Sequence, residues 1–375
     1  MSKTIAELPF TELCERIQEL GRERVDAMGK IRGIVNDFYV REFPRKMDWN
    51  FFLAQSTITV QGQYNTGTVS ANTGDFNVTF SSDVVLTQTN NLWWLKISGN
   101  DYVYQFTYSD ATGGTLNVPL SGTTNVANGS FNLFQPYYSL AGNFDRFPKN
   151  GGLILYQGGQ EQIISELAYQ DWATYYSPSP TNIAAYCRLY GVDTAGNTLM
   201  EINPPPATAV SYRYDYFIKP QAMYEYTNGL IGNISNNGTN VIGDSNTVFT
   251  RCNTGDYLRI DAFGTSADSE WYRIIAISSP SSLTLQSAFQ NTANGVVSVT
   301  SAKYTICSAP AMPYKMHPAI LYGGLLQLTV DQNDPMAQAY GLKFAEVLSD
   351  GKRLYVSRIY NQTIHSMGEQ YLYRR

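Results

Sequence analysis

Apolar residues near the start of the chain recur three or four positions apart, from residue 11 to residue 43. That spacing is typical of one face of an amphipathic helix. Thr11 closely follows Pro9 and is placed to cap the start of the helix. Gly21 is placed to break it, because glycine inside a helix costs up to about 1 kcal/mol relative to alanine. The pattern therefore predicts an N-terminal helix with a break near Gly21.

The same spacing returns after residue 309. Pro318 suits the first turn of a helix, and the adjacent Gly323 and Gly324 would let another helix approach closely. The apolar residues that share one face of this helix are Ile320, Leu321, Leu325 and Leu328. After the break at "DQNDPM", Asp334 is a good cap for a second helix. These features predict a C-terminal helical hairpin.

Between the helical regions the hydrophobic period changes to two, which is the period of a β-strand. From residue 56 to 137 the runs "STITVQGQY", "DFNVTF", "LWWLKISG" and "DYVYQFTYS" alternate between apolar and polar residues. Turns rich in glycine and asparagine separate these runs. Short strands at this spacing predict a small antiparallel β-sandwich or barrel.

A second stretch of the same kind runs from residue 230 to 308. The two stretches align in order and spacing, with Trp94 opposite Tyr257 and Tyr102 opposite Trp271. We interpret them as two copies of one β-module. The alternative, two unrelated insertions with similar strand chemistry, stays open at this point.

The middle segment, residues 138–229, contains a triple proline followed by a strand with tyrosine at every second position. Each proline lacks an amide donor and fixes φ at about −65°, so the prolines end the preceding strand. Alternate side chains of the next strand point to opposite faces. The tyrosines of one face are Tyr212, Tyr214 and Tyr216. The residues of the other face, which we predict to contact a neighbouring subunit, are Arg213, Asp215 and Phe217.

The sequence therefore predicts an α+β fold with a discontinuous helical core and two inserted small antiparallel β-sandwich or barrel modules. The core would comprise the N-terminal helix, the C-terminal helical hairpin and a small mixed β segment. The predicted segments are 1–55 (N-terminal helical part), 56–137 (first β-module), 138–229 (middle segment), 230–308 (second β-module), 309–351 (helical hairpin) and 352–375 (extended tail rich in basic and aromatic residues).

The composition is that of a folded protein rather than a disordered chain. Hydrophobic residues make up 43% of the 375 positions and charged residues 15%, which argues against disorder. The net charge of −5 argues against a chain that binds nucleic acid over its whole surface. Tyrosine is abundant, at 28 residues, and aromatic residues are enriched at protein interfaces. No apolar run approaches the roughly 20 residues of a membrane helix, and no signal peptide is visible.

The chain carries no motif of a known catalytic or metal site. It lacks a phosphate-binding loop, a dinucleotide-binding motif and a nucleophile elbow. Its two histidines, His317 and His365, are far apart and have no cysteine pair beside them, so they do not build a usual zinc site. His317 is expected to cap the helix that Pro318 starts. The run from Asp331 to Asp334 lacks the glycine and glutamate of a calcium loop. We expect free thiols at the scattered Cys14, Cys187, Cys252 and Cys307. We predict no catalytic, cofactor or metal-binding residue.

Three segments together resemble one protein family. The first is "SPSPTNIAAYCRLYGVDTAGNTLMEINPPPATAVSYRYDYFIKPQAM", in which a strand ends in Pro-x-Pro before an alternating, tyrosine-rich strand that ends in proline. The others are "MPYKMHPAILYGGLLQL" and "QNDPMAQAYGLKFAEVLSDGKR", which match a helix start and a second helix. This combination resembles the head-to-tail adaptor (neck or connector) proteins of tailed bacteriophages. The resemblance covers residues 8–50, 150–228 and 309–355, and the β-modules resemble immunoglobulin-like inserts of some members.

The resemblance implies a structural virion protein that is assembled in the host cytoplasm and has no enzyme activity. Such proteins form a ring, usually of twelve copies, that binds the portal protein. The ring joins the head to the tail tube or nozzle proteins and leaves a channel for DNA, with no cofactor and no membrane partner. The tail suits docking into a neighbouring ring, because tyrosine and arginine are frequent interface anchors. Its candidate docking residues are Arg358, Tyr360, Tyr371, Tyr373, Arg374 and Arg375.

The aromatic residues of the first module support an alternative function. They are Trp93, Trp94, Tyr102, Tyr104, Phe106 and Tyr108. Exposed together, they would form a platform for sugars, and the chain would be a carbohydrate-binding or decoration component that attaches to the host surface. A simpler interpretation is a sheet core with cross-strand aromatic pairs. A polysaccharide-degrading enzyme, which needs two suitably spaced carboxylates, is a third and less favoured hypothesis.

Overall fold

The chain folds as a mixed α+β protein with two compact units, Met1–Phe52 with Pro220–Arg375, and Leu53–Lys219. The computed structural model describes residues 7–23, 27–81, 93–110, 112–149, 151–157, 160–168, 170–171, 184–227, 231–235, 238–260, 270–289, 298–299, 302–331 and 334–356. Within these ranges, no helix is long and apolar enough to cross a membrane.

The helices come from the two ends of the chain, as predicted. They are α1 (Phe10–Leu20), α2 (Met28–Asp37), α3 (Phe43–Lys46), α4 (His317–Asp331) and α5 (Ala337–Gly351). A π-helical turn, Phe38–Glu42, joins α2 to α3, and another, Lys352–Val356, follows α5. The break predicted near Gly21 is confirmed, since α1 ends at Leu20. The cap predicted at Thr11 is wrong: this residue lies inside α1, and its hydroxyl donates to Glu225 Oε2 at 2.9 Å.

The N-terminal and C-terminal helices pack against each other. Gly324 lies against Ile17 of α1, where a Cβ atom would come within 2.9 Å of the Ile17 Cδ1 atom. Gly323 lies against the ring of Phe38 in the same way. The Tyr340 hydroxyl of α5 donates to the Leu20 carbonyl oxygen at 3.1 Å. The close approach predicted for the two glycines is therefore confirmed.

The second unit, Leu53–Lys219, contains fifteen of the strands of the described chain. These are β1 (Leu53–Val60), β2 (Val69–Ala71), β3 (Asn77–Phe80), β4 (Trp93–Ile97), β5 (Val103–Asp110), β6 (Gly113–Leu116), β7 (Val126–Gly129), β8 (Phe131–Phe134), β9 (Tyr137–Ser139), β10 (Phe144–Arg146), β11 (Gly152–Gln157), β12 (Gln160–Glu166), β13 (Tyr186–Val192), β14 (Thr198–Asn203) and β15 (Val210–Ile218). Strands β2–β8 form a seven-stranded sheet, which we call module 1, in the order β7-β2-β3-β6-β5-β4-β8. The others form an eight-stranded sheet, which we call the β15 sheet, in the order β1-β15-β11-β12-β13-β14-β9, with β10 beside β15.

Strand β1 belongs to the β15 sheet and not to the first module, where its alternation had placed it. It pairs antiparallel with β15 without a bulge, from Leu53 opposite Phe217 to Val60 opposite Val210. The middle segment, together with β1, therefore buries a hydrophobic cluster of its own. The predicted single core is divided accordingly, with the helices in one compact unit and these strands in the other.

The remaining strands lie in the unit that contains the helices. They are β16 (Glu225–Tyr226), β17 (Ile231–Ser235), β18 (Asn240–Gly243), β19 (Tyr257–Ile260), β20 (Tyr272–Ser279), β21 (Ser282–Leu285), β22 (Ser298–Val299) and β23 (Tyr304–Cys307). They form one sheet, which we call module 2, in the order β22-β17-β18-β21-β20-β19-β23-β16. Apart from the additional β16, this is the order of module 1, strand for strand along the chain.

The register of the two modules agrees as well as their strand order. Leu95 faces Tyr104 and Leu133 in module 1, and Leu258 faces Tyr272 and Ile306 in module 2. Hydrogen bonds outside the ladders also match: the amide of Leu116 donates to the Phe76 carbonyl, and that of Leu285 to the Thr239 carbonyl, both at 2.8 Å. The two modules are therefore two copies of one fold.

The ladders correct the pairing of Tyr102 with Trp271 in the sequence alignment of the modules. Tyr104, not Val103, is the counterpart of Tyr272, so Tyr102 is not opposite Trp271 as the sequence suggested. A shift of one residue moves a side chain to the other face of a strand. With the corrected register, the buried Tyr104 matches the buried Tyr272.

Candidate functional site: the open face of the β15 sheet

The tyrosines of β15 hold one face of its sheet against the core. Tyr212, Tyr214 and Tyr216 are all buried, as the alternation predicts. Their hydroxyls remain hydrogen-bonded: the Ala141 amide donates to Tyr214 Oη at 2.9 Å, and Tyr216 donates to Asn143 Oδ1 at 2.8 Å. Burial raises the pKa of Tyr212 and Tyr216, so these phenols stay neutral and serve as structural donors and acceptors.

The opposite face of the same sheet carries exposed and half-buried side chains. Residues directly opposite each other in antiparallel strands share a face, and Arg213 lies opposite both Thr57 and Ile154. Ile154 in turn lies opposite Ile163. The face therefore spans four neighbouring strands. We define the open face by its outward residues Thr57, Thr59, Ile154, Tyr156, Glu161, Ile163, Arg213 and Asp215.

The open face combines exposed apolar side chains on β11 and β12 with a weakly stabilising ion pair. Tyr156 is 71% exposed and Ile163 is 56% exposed. Arg213 pairs with Glu161 at 3.0 Å, and both side chains are well exposed, which keeps the gain from such a pair near 0–1 kcal/mol. Gln55 Nε2 donates to Asp215 Oδ1 at 2.9 Å. Exposed aromatic residues and arginine are enriched at protein-binding surfaces, and the buried Nε atom of Arg213 has no hydrogen-bond partner among the described residues.

The predicted interface residues do not all reach this surface. Arg213 and Asp215 lie on the open face, but Phe217 is only 2% exposed, and the guanidinium of Arg146 lies 4.6 Å from the centre of its ring. The predicted docking residues of the tail, Arg358, Tyr360, Tyr371, Tyr373, Arg374 and Arg375, lie outside the described residues. Sequence reasoning missed Tyr156 and Ile163, because "GLILYQGGQEQIISEL" is apolar on both faces of its strands.

The aromatic residues of module 1 do not form one sugar platform. Trp93, Tyr104 and Phe106 are buried in the module core, at most 2% exposed. Tyr102, at 60% exposed, lies outside that core, and Trp94 packs near Tyr137 with ring centres 6.2 Å apart. Strand alternation divides these residues between two faces, in agreement with the simpler interpretation of core and cross-strand pairs.

Burial keeps the four cysteine thiols and the imidazole of His317 in their neutral forms. It raises the pKa of the four cysteine thiols to about 12, so each stays a thiol at neutral pH; these are Cys14, Cys187, Cys252 and Cys307. Burial also lowers the pKa of His317 to about 4. In the described ranges, no group of three His, Cys, Asp or Glu residues could hold a metal ion.

His317 joins two segments and does not cap its own helix. The amide of Leu8 donates to its Nδ1 atom at 2.9 Å, and its Nε2 atom lies 3.2 Å from the Met312 carbonyl oxygen. Nδ1 is therefore the acceptor and Nε2 the protonated donor. The predicted helix-capping role is wrong, because the donor is an amide about 300 positions away in the sequence.

Comparison with known proteins adds little to this geometry. No protein-family model matches the chain, and no curated protein matches it. One solved structure with limited similarity is the "Phage phi92 endosialidase", at 10% sequence identity and a TM-score of 0.17. The match covers 66% of this chain, which spans 30% of that structure's length. A score this low carries no conclusion about fold or function.

Proposed function

We propose that the chain is a structural subunit of the head-to-tail adaptor of a tailed bacteriophage. In this role it forms a ring that joins the portal to the tail and leaves a channel for DNA. One observation carries the proposal: the helices from residues 10–46 and 317–351 pack against each other. Two of the three segments that resemble the family thus come together in space, although more than two hundred residues separate them in the chain.

The open face supplies a surface for the contacts within the ring. A closed ring needs two different, complementary patches on each subunit. Interfaces of this kind favour tyrosine and arginine at their centre. The open face carries both residue types, at Tyr156 and Arg213, and the opposite side of its sheet packs against a hydrophobic core.

Replacing Ile163 by aspartate is expected to abolish ring formation and to leave the folded subunit intact. The side chain is 56% exposed, so the free energy of unfolding should change by no more than about 0.5 kcal/mol. In a closed interface the same carboxylate would be buried without a partner. Ile275→Asp is the matched control, because this isoleucine also lies on a strand, in module 2, and is 52% exposed. Mass photometry measures how much of each variant assembles into rings. Equal ring formation by both variants would show that the open face is not part of the ring interface.

Deleting residues 358–375 is expected to weaken attachment to purified portal at least tenfold, which corresponds to about 1.4 kcal/mol. The deletion leaves Val356 in place, because this residue is buried. The ring of the neighbouring Tyr355 also contacts Phe51, at 5.6 Å between ring centres. Negative-stain imaging of portal with full-length or shortened chain measures the added ring. Unchanged attachment would show that residues 358–375 are not part of the docking site. If the full-length chain adds no ring to portal even at high concentration, the proposed function itself is wrong.

A further inference from the structure

Module 2 shows, within this molecule, what one face of the duplicated fold binds. Its strand β19 faces helix α1, and the Arg259 guanidinium donates two hydrogen bonds to the Glu15 carboxylate, at 2.8 and 2.7 Å. The same guanidinium lies 4.6 Å from the ring centre of Trp271, whose Nε1 donates to Glu12 at 3.4 Å. Two glutamates one helical turn apart are thus held by the outer side of this sheet.

A second contact fixes the other side of the same face. Glu225, on β16, accepts a hydrogen bond from the Thr11 hydroxyl at 2.9 Å. It also accepts two from the Arg32 guanidinium, at 2.9 and 2.8 Å. The helix that docks on module 2 therefore offers carboxylates to Arg259 and a hydroxyl donor to Glu225.

The shared register identifies the counterparts of these groups in module 1. Arg259 faces Thr305 across its ladder, and Lys96 faces Asn132 in the same ladder of module 1. Lys96 therefore takes the place of Arg259, and it also faces Val103, the counterpart of Trp271.

The counterpart of Glu225 follows from the next ladder. Tyr226 faces Ile306 in module 2, and Tyr64 faces Leu133 in module 1. Gln63, which precedes Tyr64, therefore takes the place of Glu225. Module 1 therefore carries a cation, Lys96, and a polar acceptor, Gln63, at the two positions whose counterparts hold α1 in module 2.

In module 1 these counterparts keep hydrogen-bonding capacity for a ligand. Lys96 Nζ donates one hydrogen bond, to the Asn100 carbonyl oxygen at 2.6 Å, and an ammonium group has three donors. Thr305 is buried beneath α1 at 7% exposure, whereas Lys96, Val103 and Asn132 are half-buried. Gln63 Oε1 is buried and has no hydrogen-bond partner among the described residues. A buried acceptor without a donor is costly, and its counterpart Glu225 has its donors on α1 and α2.

We propose that module 1 binds an acidic helix of a partner protein through the docking face formed by Gln63, Lys96, Val103 and Asn132. The helix presents a carboxylate to Lys96 and, about one turn away, a hydroxyl or guanidinium donor to Gln63 Oε1. Lysine offers a compact charge without the two-pronged geometry of arginine, so the face accepts acidic helices with less orientational restriction than module 2 does. This docking face is separate from the open face, and it does not depend on ring formation.

The test uses the full-length chain and a fluorescent, N-acetylated peptide of residues 8–22 with Cys14→Ser. In the full chain α1 already occupies module 2, so binding of this peptide reports on module 1. Fluorescence anisotropy is expected to show saturable binding that K96E weakens at least tenfold. Lys149→Glu, an exposed lysine of the same compact unit, makes the same charge change elsewhere and should bind like the unmodified chain.

A charge-swapped peptide with Glu12→Lys and Glu15→Lys separates recognition from damage to the fold. It should bind the K96E variant more tightly than it binds the unmodified chain. Absence of peptide binding to the unmodified chain would overturn the proposal. So would K96E and Lys149→Glu binding the original peptide equally well.

Discussion

Gly323→Ala is expected to lower the free energy of unfolding by about 3 kcal/mol, at the upper end of the cost of overpacking a core. A Cβ atom at this position would overlap three ring carbons of Phe38. That ring cannot move away, because Phe43 and Phe344 lie 6.3 and 5.5 Å from it between ring centres. The helices from the two ends of the chain would have to separate, which disrupts the packing on which the proposed adaptor role depends.

Gly33→Ala provides the matched control with the opposite sign. Gly33 also lies inside a helix, but no atom lies within 4 Å of where its Cβ would be. Alanine there should raise the free energy of unfolding by up to about 1 kcal/mol, because it lowers the entropy cost of forming the helix. Urea unfolding followed by circular dichroism measures both variants. Equal effects of the two substitutions would contradict tight packing at Gly323.

Local periodicity was enough to predict the helices and the alternation of β15. The apolar stripe of α4 and the burial of Tyr212 and its neighbours are properties of short stretches, which the spacing of apolar residues records. The break at Gly21 and the close approach at Gly324 follow from glycine itself. The α+β class and the two antiparallel modules could therefore be predicted from the sequence.

Features that depend on distant pairing could not be predicted in this way. Strand β1 alternates like the strands of module 1, yet its partner is β15, about 150 positions further along the chain. Nothing within Leu53–Val60 records that choice, because alternation identifies a strand but not its neighbour. The alignment of the modules failed for the same reason: low identity leaves a shift of one residue undetected until the ladders fix it.

The candidate site shows the same limit. Arg213 and Asp215 were found because β15 has one polar and one aromatic face. Tyr156 and Ile163 were not found, because their strands carry apolar residues on both faces. The sequence does not show that Leu153 is buried and that its neighbour Ile154 lies on the open face. The docking face of module 1 could not be predicted from the sequence either. The role proposed for Lys96 follows only from the register that makes it the counterpart of Arg259.

Acidification from pH 6.5 to pH 4 is expected to remove about 3 kcal/mol of stability through His317 alone. Burial lowers the pKa of this imidazole from 6.5 in the unfolded chain to about 4 in the fold. Between these values the unfolded chain binds a proton that the folded chain excludes, so stability falls with pH by up to about 1.36 kcal/mol per unit. The contribution is complete above pH 6.5 and is lost as the pH falls through 4. Protonation of Nδ1 would also break its hydrogen bond from the Leu8 amide.

His317→Gln should flatten this part of the pH dependence, because glutamine can accept from Leu8 and donate to Met312 without titrating. His365→Gln, the substitution of the only other histidine, should leave the dependence unchanged. Urea unfolding at intervals from pH 7.5 to pH 4 measures the stability of the three proteins, and the difference between two of them isolates the contribution of the substituted histidine. Parallel curves for the unmodified chain and His317→Gln would show that His317 is protonated as easily in the fold as in the unfolded chain. The contact between Leu8 and His317, at the start of α4, would then not depend on a neutral imidazole.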